Sequence, residues 1–500
     1  MCYSCYLMSK KVLIIGAGLG GLATAMRLVT RGYEVEILEK HHQVGGRLNQ
    51  IKKDGFTFDT GPSFFSMSYE FTELFKDCGV ENPLELMELD PIYSVYFANR
   101  KEPFLIYKDL NQLAETFQGV EEEFKAKAES YLEQAKALFH DTENVIVKRN
   151  YDSLLQYGTS LLKVPKKHIP LLFRTMWKEL DKRFDSEEVK IIFSLVAFFL
   201  GATPFDTPAV YSLLNYTELQ HDGYYCVKGG MYKIAEEIKK IVEDKGVKIH
   251  CNTEITEVVQ ANGKIEGFKD ANGKVWTADL YVSNSDAAAF RGSILNRSKY
   301  KESKLDKMKW TLAPFTIYLG VKGTIKDFYH HNYFLGDNFK EYADTIFKTS
   351  VSPDKPYYYV NVSSKTTPGC APEGCENLFI LCPVPDLRFK PDWSDAEQFA
   401  DNIVKDLGER IGFDLMENTL TRTVYTPVDW KNQFNLYKGS GLGLAHDLNQ
   451  VAALRPKNKD EQFNNLYYVG ASTVPGTGLP IVVIGSKLVT ERIENDFKLS

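Results

Sequence analysis

Five hundred residues with 44% hydrophobic content can bury a large core and suggest two or three domains. A formal charge of −6 gives no global attraction to nucleic acid, so no nucleic-acid partner is expected. Eight cysteines form no framework: Cys2, Cys5, Cys78, Cys226 and Cys251 are scattered, and Cys370, Cys375 and Cys382 follow at spacings of five and seven that match no common zinc pattern. Reduced thiols in a cytosolic protein, and no metal, are expected.

Met1 to Ser9 lacks a charged region followed by a long apolar stretch, so it does not read as a secretory signal, and Met8 is an alternative start. Then Val12-Leu13-Ile14-Ile15 reads as a strand, Gly16-Ala17-Gly18-Leu19-Gly20-Gly21 as a tight turn, the stretch to Arg31 as a helix, and Glu34 to Glu39 as a second strand. Gly16 permits the turn, Gly18 lets backbone approach a pyrophosphate, and Gly21 lets the helix pack closely on the strand. The phosphates then sit at the positive end of that helix. Glu39 ends the second strand, placed to accept the two hydroxyls of an adenosine ribose; an acid there disfavours a 2′-phosphate, and hence NADP. Gly45-Gly46-Arg47 follows at once and offers backbone donors and a fixed cation to the same pyrophosphate. Strand, turn, helix and GGR element together resemble the two-dinucleotide-binding-domain flavoproteins, a resemblance that implies FAD rather than NAD.

Leu110 to Phe139 carries long Glu, Lys and Ala runs, and Phe173, Met176, Trp177, Leu180 and Phe184 recur at spacings of three and four, so this part is expected to be helical. Gly246 to His250, Lys264 to Phe268 and Leu280 to Val282 read as short strands, with Asn262-Gly263 and Asn272-Gly273 as hairpin turns. Near the end, Gly470 closes a strand and is followed by small residues, then Gly476 and Gly478, so flat backbone is available to a ring system. A helix from about Pro480 to Ile493 points its first N–H groups at the same place. No run of about 18 apolar residues occurs, so no transmembrane helix is expected; Ile191 to Leu200 comes nearest.

Four stretches resemble the bacterial and fungal phytoene desaturases, the carotenoid desaturase family. They are the front motif; Phe58-Asp59-Thr60-Gly61-Pro62-Ser63; Leu200 to Phe205 leading to Tyr224 to Met231; and Leu466 to Pro480. The last is the most telling: related amine oxidases usually carry an acid soon after the matching glycine, where this chain has Gly470-Ala471. The resemblance implies that Gly61, Pro62 and Ser63 belong to the FAD site, that Gly470, Ala471, Leu479, Pro480 and Val482 meet the ribityl chain and isoalloxazine, and that Ile255 meets the adenine. It also implies an α/β fold in which an FAD-binding Rossmann-type domain carries an inserted mixed-sheet substrate domain and a helical lid. The expected division is 9–80, 224–292 and 436–500 for FAD binding, 81–110 and 293–435 for substrate, and 111–223 for a membrane-facing lid.

Such an enzyme takes two hydrogens from adjacent carbons beside a conjugated chain, and its protein supplies a dry tunnel. A base is scarcely legible. Asp152 lies where some relatives show an acid facing the flavin, but the arginine expected three residues later is missing. Between Val147 and Arg183, nine Lys or Arg face three acids, and with Phe173, Trp177, Leu180 and Phe184 this resembles a basic amphipathic segment lying on anionic lipid, with Ile191 to Leu200 as a second insertion surface. The expectation is therefore a cytoplasmic, peripheral-membrane, FAD-dependent desaturase of a hydrophobic carotenoid, favoured as a late-acting hydroxycarotenoid 3,4-desaturase, with oxygen or a quinone as electron acceptor. Phytoene desaturase, and carotenoid isomerase or saturase using reduced flavin, stay open as alternatives. An amine oxidase is disfavoured, since Ala471-Ser472-Thr473 contains no flavin-linking cysteine.

Overall fold

The computed structural model describes residues 10–347 and 356–497, so Cys2, Cys5 and Met8 lie outside the described residues. A five-stranded parallel sheet is built from strands that are distant in sequence: Leu466–Tyr468, Leu280–Ser283, Lys11–Ile15, Glu34–Leu38 and Lys248–His250, in that spatial order. Val12 to Ile15, Leu280 to Ser283 and Leu466 to Tyr468 are buried throughout, which is why these strands read as continuous rather than alternating apolar runs. The Leu19–Thr30 helix and the Leu479–Asp496 helix pack on this sheet and on each other.

A second, seven-stranded mixed sheet runs in the order Thr419–Tyr425, Ala313–Lys322, Cys375–Val384, Tyr358–Asn361, His331–Leu335, Tyr93–Phe97, Phe104–Ile106. Only His331–Leu335 beside Tyr93–Phe97 is parallel among its pairs. Helices from Leu110–Thr116 to Leu213–Tyr216, the longest being Phe124–Thr142, pack against this sheet in one core. This is the expected α/β class, with a Rossmann-type sheet, a mixed sheet and a helical cover.

The hairpin signal at Asn262-Gly263 is realised between Ile255–Ala261 and Lys264–Asp270, where Asn262 (φ 51°) and Gly263 (φ 72°) both take the left-handed conformation of a tight hairpin turn. Leu110 to Phe139 forms two helices, Leu110–Thr116 and Phe124–Thr142. Two local expectations are corrected. The apolar spacing from Phe173 to Phe184 is no single helix face, because Arg174 (ψ 142°) and Thr175 (ψ 157°) are extended and break the chain between Ile169–Phe173 and Met176–Leu180. Leu180 and Phe184 accordingly turn into the core, Trp177 packs on Phe205 at 4.8 Å, and Phe173 alone of the four stays in solvent, 85% exposed. Ile191 to Ala197 is buried and Phe198 to Leu200 lines the cavity, so the Ile191 to Leu200 stretch offers no insertion surface. No helix among the described residues is long and apolar enough to cross a membrane.

Candidate functional site

The front glycine turns interlock through backbone. Gly16 donates its N–H to Leu38 O at 2.7 Å, and Gly45 donates to Ala17 O at 2.8 Å, so the GGR turn is laid against the first glycine turn. Two glycines there are sterically required. A Cβ on Gly21 would overlap the carbonyl oxygen of Gly16, and Gly45 combines φ 108° with a Cβ position that overlaps Leu48 O. Glu39, buried, accepts from Ala17 N–H (2.7 Å) and His41 N–H (3.0 Å), which aims its carboxylate at the glycine turn. Thr253 N–H donates to Glu39 O at 2.8 Å, and this carries Ile255 alongside.

Arg47 donates from Nη1 to Gly441 O at 2.8 Å, and burial depresses its pKa while Asp286 opposes that depression. Asp286, held up at about 6 by burial, caps a helical turn by accepting from Ala288 and Ala289 N–H. At the back, Gly470 lies against Asn284, whose side-chain amide donates to Gly16 O at 3.3 Å. Arg455 is the buried tie of this region. Its guanidinium donates to the carbonyls of Leu444, Ala445, Gln450, Ala471 and Thr473 at 2.6–3.2 Å, and burial lowers its pKa to about 10.

These turns open on one continuous cavity of 1740 Å³. Gly16, Gly18, Glu39, Gly45, Gly46, Arg47, Gly61, Pro62, Ser63, Ile255, Gly470, Ala471, Leu479, Pro480 and Val482 all line it. Gly21 does not line it and acts behind the turn. Asp152 is not brought there. It is exposed, and its carboxylate pairs with Arg492 on the surface. Asn284, Asp286, Arg455 and His446 went unread in the sequence. The Ser283-Asn284-Ser285-Asp286 run directly after a buried strand was the available signal for the first two; nothing local marked the others.

The residues present fit a dinucleotide flavin. Glycine backbone and two helix N-termini face the volume at one end, with the Glu39 and Arg47 side chains beside them. The volume exceeds the roughly 300–1,000 Å³ usual for a single small-molecule site, so a second, long ligand fits beside the cofactor. The remaining wall is apolar and aromatic. Phe64, Phe198, Phe199, Tyr224, Tyr333 and Phe379 belong to it, and Leu161, Leu162 and Ile169 stand where it meets solvent.

A family model described as flavin-containing amine oxidoreductase matches residues 19–492. The chain is 32% identical over 489 residues to the zeta-carotene-forming phytoene desaturase of Myxococcus xanthus, covering 97% of this chain and 94% of that protein. It is 30% identical to a 4,4′-diapophytoene desaturase of Methylomonas sp. (98% and 97% covered). Among solved structures, wild-type putrescine oxidase bound to putrescine matches with a TM-score of 0.63 at 13% identity, covering 98% of this chain and 99% of that one, a likeness of fold alone. The chain thus belongs to the flavin-containing amine oxidoreductases and, within them, to the FAD-dependent carotenoid desaturases.

Proposed function

We propose that the protein desaturates a late, hydroxylated carotenoid, forming the 3,4 double bond, while associated peripherally with a membrane. The observation that carries the finer part is the character of the inner cavity wall, where Tyr224, Tyr333 and Tyr359 pack around Phe64, a surface that suits a polyene bearing a polar tip better than a pure hydrocarbon. Bound in the glycine cradle, oxidised FAD supplies the hydride acceptor. The chain's own residues position and dry the reaction. Tyr318 donates to Thr60 O at 2.7 Å and so anchors the Gly61 to Ser63 turn, while the aromatic wall keeps water from the carbon pair. Loss of hydride beside a conjugated chain leaves a positive charge spread along the polyene, so proton loss needs no strong base. Asp152, held in solvent by Arg492, has no part in this reading.

Membrane contact is supported by exposed apolar side chains of residues 154–173, of which Leu161, Leu162 and Ile169 also line the cavity. Leu155 (78% exposed), Leu162 (86%) and Phe173 (85%) stand in solvent with Leu154, Leu161 and Ile169, and Lys163, Lys166 and Lys167 lie in the same segment. The proposed division of labour is FAD binding by 9–80, 224–292 and 436–500, substrate binding by 81–110 and 293–435, and a lid over 111–223, with oxygen or a membrane quinone as the electron acceptor. The test is expression in bacteria that accumulate either phytoene or a hydroxylated acyclic-ended carotenoid, with pigment chromatography and absorption spectra. A red-shifted product only from the hydroxylated precursor is expected. Colour formed from phytoene overturns the late-acting reading, and altered retention with an unchanged number of double bonds points to isomerisation.

A further inference from the structure

Behind the tyrosine wall lies a set of buried polar groups that the cofactor site leaves unused. Glu218 sits on a π-helical turn, Thr217–His221, a distortion often found at functional positions. Its carboxyl is buried within reach of the Tyr93 hydroxyl and the Asn215 amide, and neither oxygen makes a well-formed hydrogen bond among the described residues. Tyr93, Tyr131, Tyr224 and Tyr333 interact with it electrostatically. Burial pushes this carboxyl up to about 8, so at neutral pH it is a neutral acid with a proton to donate. The buried hydroxyl of Tyr333 is also without a partner, and Tyr333 and Tyr224 both line the cavity.

His331 extends the set. Tyr359 O–H (2.6 Å) and the side-chain amide of Asn361 (3.4 Å) both approach His331 Nδ1, which places the ring proton on Nε2, and Nε2 is buried and unpartnered. The ring stacks at 4.0 Å on Phe64, which itself lines the cavity next to Ser63. Buried polar groups are ordinarily satisfied, so several orphans gathered behind one stretch of cavity wall call for a ligand atom or a water. The set is rich in donors, since a neutral acid, a tyrosine hydroxyl and an imidazole N–H each have a proton to give. That chemistry selects an uncharged oxygen and disfavours a cation or a bare methyl end.

We propose that Tyr333 and Tyr224, backed by Glu218, form an end-group pocket that receives the hydroxyl oxygen of the polyene substrate and so sets which carotenoids are accepted. This rests on the late-acting reading above and adds the residues that would enforce it. With a hydrocarbon substrate these donors stay unpaired, and unpaired buried donors lower affinity for the analogue that lacks the partner.

The test uses the FAD-loaded enzyme on phosphatidylcholine vesicles carrying either a hydroxylated carotenoid or the same polyene without the hydroxyl. kcat/KM is measured for each, and bound flavin and thermal unfolding are followed as controls of folding. The wild-type preference for the hydroxylated substrate is expected to fall by about tenfold or more in Tyr333→Phe and in Glu218→Gln, mainly through KM. Tyr224→Phe, a milder change, serves if Glu218→Gln does not fold. A wild-type enzyme that shows no preference for the hydroxylated substrate defeats the late-acting reading and the pocket with it. A preference that exists and survives in folded variants, or falls equally for both substrates, overturns the pocket alone.

Discussion

The two ends of the cavity are built by different means. At the nucleotide end, backbone does the work: glycine turns interlock through Gly16, Gly21 and Gly45, and side chains such as Glu39 and Arg455 are held by main-chain N–H and C=O groups. At the tyrosine end, side chains make the wall, and several of their polar atoms are left without partners. The contrast separates what a whole flavoprotein family shares from what can differ between its members. A backbone cradle tolerates little change and accepts one cofactor, whereas a side-chain wall can be recut for another substrate without disturbing the fold.

The sharpest way to break this contrast is Gly45→Val. A branched side chain at φ 108° that also overlaps Leu48 O is expected to abolish flavin retention, read as loss of flavin absorbance in the purified protein; retained flavin would mean that the cradle is less exacting than its geometry. Next in size, Arg455→Met strands five carbonyls at once. It is expected to cost at least about 3 kcal/mol, measured by chemical unfolding, while Tyr333→Phe costs less than half as much.

In the exposed apolar segment, the double substitution Leu155→Ser with Phe173→Ser is expected to lower partitioning onto anionic vesicles by about tenfold or more in flotation, since each removes an exposed apolar side chain. The smallest effect concerns pH. Glu218 is raised from its ordinary 4.5 to about 8, first by burial, so the folded state holds a proton there that the unfolded state has released. Its contribution to stability is therefore complete below about 4.5, declines as pH rises towards about 8 and is flat above that, with a slope of at most about 1.4 kcal/mol per pH unit. Glu218→Gln is expected to flatten unfolding free energy over that window, and an unchanged slope would remove the buried acid from the picture.

The nucleotide end was legible in the sequence because its demands are local. Gly16, Gly18 and Gly21 meet their requirement within one turn and one helix, and Glu39 lies one strand further on. The segment from Phe173 to Phe184 misled because periodicity assumes an unbroken helix, and two extended residues at Arg174 and Thr175 rotate Leu180 and Phe184 into the core. The exposed apolar side chains stand instead at Leu154 to Leu162, whose spacing alone did not distinguish them from a buried helix. Arg455 and His446 carried no local mark, because their partners lie in the 444–450 and 471–477 segments.

By itself the sequence determined the cofactor class, the Rossmann-type turn and the family, since glycine conformations, strand patterns and helix starts are written in consecutive residues. Tertiary structure alone decided that three remote strands share one parallel sheet, that Asp152 faces solvent, and that Glu218, Tyr93 and Tyr333 gather behind one wall. The physical reason is range. Backbone torsions are local, while burial and hydrogen-bond satisfaction depend on which distant side chains the folded chain brings within a few ångströms of each other.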